Sequence, residues 1–139
     1  MTKIAATSTP TREPAPRAET ITRFFAAIQA GDYSVLQYLL HDDAVTRWPQ
    51  SGERITGAMA CVRVYENYPG GPPRYRVQRI SGDGDVWVAE LIADYAGEPW
   101  HAVSIVEFEG ERIARMTDYY GATFPAPDWR QGLVELERH

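Results

Sequence analysis

At 139 residues, 44% hydrophobic and 24% charged, the chain is long enough for one well-formed core and too apolar for bulk disorder. A formal net charge of -5, with no run of Lys or Arg, argues against nucleic acid or an anionic membrane as a partner. No stretch approaches the roughly 20 apolar residues that span a bilayer, no apolar core follows Lys3, and the one cysteine, Cys61, makes no internal disulfide, so the expected location is the cytoplasm.

Residues 1–17 are rich in Thr, Ala and Pro, with Pro10, Pro14 and Pro16 close together, which predicts a flexible tail before a single domain over 18–139. Ile21, Phe24, Phe25 and Ile28 then fall on one face of a helix, which Gly31 closes. After Asp32, a shorter helix carries Val35, Leu36, Leu39 and Leu40 and runs out at His41-Asp42-Asp43. Ala44 to Trp48 reads as a strand stopped by Pro49, and Ser51-Gly52 turns it into a short return strand at Glu53–Ile55. Gly57 introduces a third helix with Cys61, Val62 and Tyr65 on one side, ended by the Pro69–Pro73 stretch.

The remainder is strand. Tyr75 to Ile80, Val86 to Tyr95, Trp100 to Phe108 and Arg112 to Tyr120 are separated by turns at Gly82–Asp85, Ala96–Pro99 and Glu109-Gly110. In the last segment Trp129 is the one large anchor, beside a short helix. Three helices, a hairpin inserted before the third, and a long meander make an α+β fold. A strongly curved sheet wrapped around a helix leaves a conical cavity, a natural ligand site.

Counting outward from the last two turns places Asp94 opposite His101, and His101 opposite Asp118. A one-residue slip at either turn would break the set. One sheet face then holds Val86, Val88, Glu90, Ile92, Asp94, His101, Val103, Ile105, Met116 and Asp118, and has the character of a pocket wall. The other holds Trp87, Leu91, Tyr95, Trp100, Val106 and Phe108. A carboxylate beside His101 raises its pKa and fixes its tautomer, and Asp118 in an apolar cavity can remove a proton next to a carbonyl. The alternative is a strand-end histidine satisfied by a neighbouring Asp. Trp48, Tyr65 and Tyr120 are candidate cavity residues, or simply core.

Other motifs carry less. His41-Asp42-Asp43 lacks a second histidine nearby and reads as a solvated helix end, and Gly82–Asp85 lacks the later glutamate of a calcium loop. Gly70-Gly71 lacks the Lys-Ser/Thr of a phosphate loop, and Cys61 reads as core. No metal and no cofactor is expected.

The segments RFFAAIQAGDYSVLQYLLHDDAV, SGERITGAMACV and VSIVEFEGERIARMTDYYG resemble, in that order, the nuclear transport factor 2-like superfamily over about residues 18–124. The resemblance implies a cone-shaped barrel of three N-terminal helices packed on a curved, mainly antiparallel sheet. Among its branches, the steroid isomerases place a general-base Asp where this chain has Trp48. Their oxyanion-hole Tyr falls on Phe24, and their protonated Asp falls near Ser104; ketosteroid isomerisation is therefore disfavoured. The Arg-x-Asp pair of the epoxide hydrolases is not matched by Arg115 and Asp118, which are three apart on a strand. The SnoaL-like cyclases carry an Asp in the last strand, and RIARMTD lays Asp118 onto it.

The resemblance further implies a homodimer, with the aromatic sheet face as the candidate contact. The expected function is a cofactor-independent isomerase, cyclase or lyase acting by acid–base chemistry on a small apolar, carbonyl-bearing molecule. Asp118, His101 and Asp94 are its candidate catalytic set, and Trp48, Tyr65, Glu90, Tyr120 and Phe24 its candidate substrate contacts. A non-catalytic ligand-binding protein and a dimeric interaction module are the alternatives.

Overall fold

The computed structural model describes residues 15–137. All but the last three residues of the expected tail lie outside that range, and those three are already helical: α1 spans Ala15–Ala30. Its buried face is the expected one, with Ile21, Phe24, Phe25 and Ile28 inside. Gly31 and Asp32 close it by donating to the carbonyls of Ile28 and Ala27, at 3.2 and 2.9 Å. Asp32 then turns round as N-cap of α2 (Tyr33–Leu39), its Oδ1 accepting the Val35 amide at 3.3 Å.

The second helix ends earlier than its apolar spacing suggests. Leu40 already opens strand β1 (Leu40–Trp48), so His41-Asp42-Asp43 is extended chain rather than a helix end. Leu40 is buried either way, which is why burial periodicity alone does not find the boundary. His41 Nε2 is tied to the Glu109 carbonyl at 2.7 Å.

The hairpin strand β2 (Glu53–Thr56), helix α3 (Ala58–Glu66) and strands β3 (Arg74–Asp83), β4 (Val86–Tyr95), β5 (Glu98–Glu109) and β6 (Arg112–Ala122) follow in the expected order. They form one six-stranded sheet, β2-β1-β6-β5-β4-β3, in which β1 and β6 run parallel and the other neighbours antiparallel. The sheet is mixed and stays open, with β2 and β3 as its edges, and the third helix comes after the hairpin rather than with the first two. Among the described residues no helix is long and apolar enough to cross a membrane.

Two hairpin registers differ from the expected ones. Ala96-Gly97, both at positive φ (55° and 94°), make a two-residue turn, so Tyr95 faces Glu98 and Asp94 faces Pro99. Pro99 is accommodated as the second residue of β5, where a missing ladder donor costs little, instead of belonging to the loop. The next turn is Gly110-Glu111, and a bulge leaves Ala114 unmatched between the pairs Glu107–Arg115 and Phe108–Ile113. His101 therefore faces Ile92 and Gly121, and Asp118 faces Ser104. The Asp94–His101–Asp118 row is not formed.

The three-residue offset in the second hairpin is odd, so it also changes sides. Trp87, Leu91, Val106 and Phe108 lie on the inner face, in the core under the helices, together with Met116. Asp118 is buried there too. Val86, Glu90, His101, Val103 and Tyr119 lie outside. The aromatic face expected to meet a second protomer is thus the protein's own core face. Trp129, expected as an anchor, sits on a 3-10 turn at Asp128–Arg130 and is 73% exposed.

Candidate active site

The inner face changes character along its strands. Opposite Asp118 the row runs through Ser104 to Ala89, and the next rows contribute Ala102 and Ala93. These short side chains leave space where Trp87, Val106 and Phe108 fill it lower down. On the other side of Asp118, Thr46 of β1 lies beside Met116, which brings Trp48 level with Asp118 two residues later.

Asp118 is 2% exposed. Ser104 Oγ donates to its Oδ1 at 2.7 Å and Trp48 Nε1 to its Oδ2 at 3.0 Å. Burial pushes its pKa up to about 6, and these two donors hold it from going higher. Both forms of the carboxyl are thus within reach near neutrality, as a proton-transfer group requires.

Around it stand hydroxyls that keep their protons. Burial above all, with repulsion from Asp118 as one further cause, pushes the pKa values of Tyr65, Tyr68, Tyr75, Tyr95 and Tyr120 upward. Each can therefore donate a hydrogen bond at any ordinary pH. The Tyr75 hydroxyl is buried near Tyr120 without a hydrogen bond of good geometry. Burial likewise pushes the Cys61 thiol up to about 12, in contact with Thr46, which leaves it inert as a nucleophile.

A cavity of about 410 Å³ opens beside this cluster, lined by Trp48, Gln50, Ser51, Tyr68, Tyr95, Glu98, Trp100 and Tyr120. Trp48 forms part of the wall and also bonds the Asp118 carboxyl behind it. Gln50 fixes the turn after Trp48 by pairing its amide with both the backbone N–H and C=O of Tyr120. Tyr65 is buried behind the wall, stacked on Tyr68 with ring centres 5.8 Å apart.

Of the expected site residues, the structure brings together Asp118, Trp48 and Tyr120, with Tyr65 behind them. Phe24 is core on α1, edge-on to Phe25, and does not line the cavity. Glu90 is on the outer face, where Arg79 Nε donates to it at 2.5 Å. Asp94 serves its own hairpin, Oδ1 accepting the Gly97 amide at 2.6 Å. His101 is exposed on the outer face, in a recess with Asp94, Arg74 and Arg76. Tyr68, Tyr95, Trp100, Gln50 and Glu98 are wall residues that the sequence reading did not assign to the site. Tyr95 and Trp100 share a face with Trp87, Leu91, Val106 and Phe108 in either register, and the available signal was that this more aromatic face is the inner one.

The family model of the SnoaL-like domain matches residues 21–116. An NTF-2 like protein of unknown function from Burkholderia xenovorans LB400 is 34% identical, with 91% of this chain and 99% of that one covered and a TM-score of 0.80. A candidate ketosteroid isomerase from Kribbella flavida DSM 17836 is 26% identical over 89% and 90% of the two chains, also with a TM-score of 0.80. The LEH-like epoxide hydrolase of M. tuberculosis shares the fold alone, at 20% identity over 76% and 83%, with a TM-score of 0.66. No curated protein matches in sequence.

Proposed function

Because the chain belongs to the SnoaL-like domain family of the nuclear transport factor 2-like superfamily, we propose that it is a cofactor-independent acid–base enzyme, of isomerase type, acting on a small carbonyl-bearing molecule. The observation that carries this reading is the buried Asp118 carboxyl, poised near pH 6 behind an aromatic cavity wall. In this reading the sheet curves as a cone about the cavity, and Trp48 has to move aside for substrate, because Asp118 does not itself line the space. Ionised Asp118 takes a proton from carbon next to the carbonyl; the C–H electrons pass into the enolate, whose oxygen accepts a hydrogen bond from the Tyr120 hydroxyl. Where a C=C bond adjoins that carbon, the enolate is conjugated with it, and returning the proton to the far end of the C=C shifts the double bond and completes an isomerisation.

His101 and Asp94 have no part in this step, since they lie on the other side of the sheet. That outer face, with Val86, Val103 and Tyr119 exposed, is the surface we assign to a homodimer.

A second reading, a non-catalytic binder, draws on one fact: Asp118 does not itself line the cavity, and both its oxygens already hold a donor. In that case Asp118 only orients Trp48. Exchange of α-hydrogens for deuterium separates the two. A panel of small cyclic and aryl ketones in heavy water is followed by proton NMR with wild type and Asp118→Asn. Exchange by wild type, reduced at least about a hundredfold in Asp118→Asn, supports the enzyme. Ketones that bind both proteins and exchange with neither leave the binder.

A further inference from the structure

The cavity wall is aromatic on most sides, and its one formal charge is negative. Trp48, Tyr68, Tyr95, Trp100 and Tyr120 supply the rings, Glu98 supplies a carboxylate with an exposed side chain, and among the described residues no Lys, Arg or His lines the space. The rings do not stand in one plane. Tyr68 and Tyr95 are tilted by 36° with centres 6.5 Å apart, and Tyr95 and Trp100 meet at 69° with centres 5.8 Å apart. A wall that turns in this way borders one open recess with rings set at several angles.

π-Faces carry negative potential, so a cation enclosed by several of them is attracted electrostatically, and more strongly once it is desolvated. A neutral apolar group of the same shape gains only the contact. Glu98 at the rim adds a full negative charge, and ionised Asp118 behind Trp48 adds a second. An anionic ligand meets the opposite field and finds no cationic side chain in the lining. A volume of about 410 Å³ is near the small end for ligand pockets and suits one compact head group with a short body.

Resting on the reading of this cavity as the binding site, we propose that its ligand is an organic cation: a substituted ammonium group seated among Tyr68, Tyr95 and Trp100 against Glu98, with the carbonyl-bearing body directed toward Trp48 and Asp118. The ammonium confers selectivity, and the carbonyl end meets the proton-transfer group.

An isosteric pair of probes isolates the charge. 3-(Trimethylammonio)phenol and 3-tert-butylphenol have almost the same shape and differ in one positive charge. Binding of each is followed by tryptophan fluorescence and by calorimetry, with wild type and Glu98→Gln at fixed ionic strength. The expected result is binding of the cation at least about tenfold tighter than the neutral probe. Glu98→Gln then weakens the cation several-fold and leaves the neutral probe unchanged. Equal or tighter binding of the neutral probe by wild type overturns the cation proposal and leaves the catalytic reading standing. An equal effect of Glu98→Gln on both probes also overturns it. Failure of both probes to bind overturns the cation proposal together with the assignment of this cavity as the binding site.

Discussion

Trp48 and Asp118 are joined across the parallel β1–β6 pair by an indole N–H donating to a carboxyl oxygen at 3.0 Å. The side chain that stands in the base position of the steroid-isomerase pattern is thus bonded to the carboxyl on the last strand. A neutral donor favours the ionised form without adding charge, and Ser104 does the same from β5. Removing either, as Trp48→Phe or Ser104→Ala, should raise the Asp118 pKa by about one unit or more. Carbon-13 NMR titration of the carboxyl measures this directly, and an unmoved midpoint would show that the two bonds do not hold the charge.

Burial of Asp118 also sets a pH dependence of stability. Its folded pKa of about 6 lies above the ordinary 3.8, so the folded protein holds this proton more tightly than the unfolded chain. The contribution is fully present below about pH 4 and is lost as pH rises through 6. The shift corresponds to about 3 kcal/mol. Denaturant unfolding of wild type and Asp118→Asn should therefore diverge by roughly that amount between pH 4 and pH 8, with wild type losing ground. A constant difference across this range would refute the assignment.

Gly82 lets Trp87 close the bottom of the core. A Cβ there would come within 2.6 Å of both Trp87 Cδ2 and the Val86 carbonyl. We expect Gly82→Ala to cost about 2–3 kcal/mol in thermal or denaturant unfolding. Gly121→Ala, where nothing lies within 4 Å and φ is not positive, should cost less than about 1 kcal/mol. Equal costs would show that the Val86–Trp87 backbone shifts to make room.

The outer face offers a simpler measurement. Val103 and Tyr119 are directly opposed on β5 and β6 and both exposed. If two copies meet there, light scattering should give a dimer for wild type and a monomer for Tyr119→Glu, with melting temperature dependent on concentration only in the former. A monomeric wild type at high concentration would remove this face as an interface.

Much of this arrangement was legible in the chain. The Ile21-Phe24-Phe25-Ile28 face, the order of the strands and the place of Asp118 on the last strand follow from periodicity and the family pattern. The partners of Asp118 did not, because they depend on counting through turns. Ala96-Gly97 looked like part of a four-residue loop containing Pro99, and nothing in RIARMTD announces that Ala114 is unmatched. Local composition identifies strands well. It is silent about a single extra residue and about a turn moved by one position, and the two together separated His101 from Asp118.

The bulge at Ala114 gives the last hairpin a parity. With it, Asp118 points inward to Ser104 and Trp48. Without it, every later side chain of β6 changes sides, and the same sequence of residues presents Tyr119 to the cavity and the carboxyl to water. Substitutions along this strand tune the site, whereas a single-residue deletion everts it. A single-residue length change between Gly110 and Thr117 therefore marks a relative in which the residue at the Asp118 position faces outward.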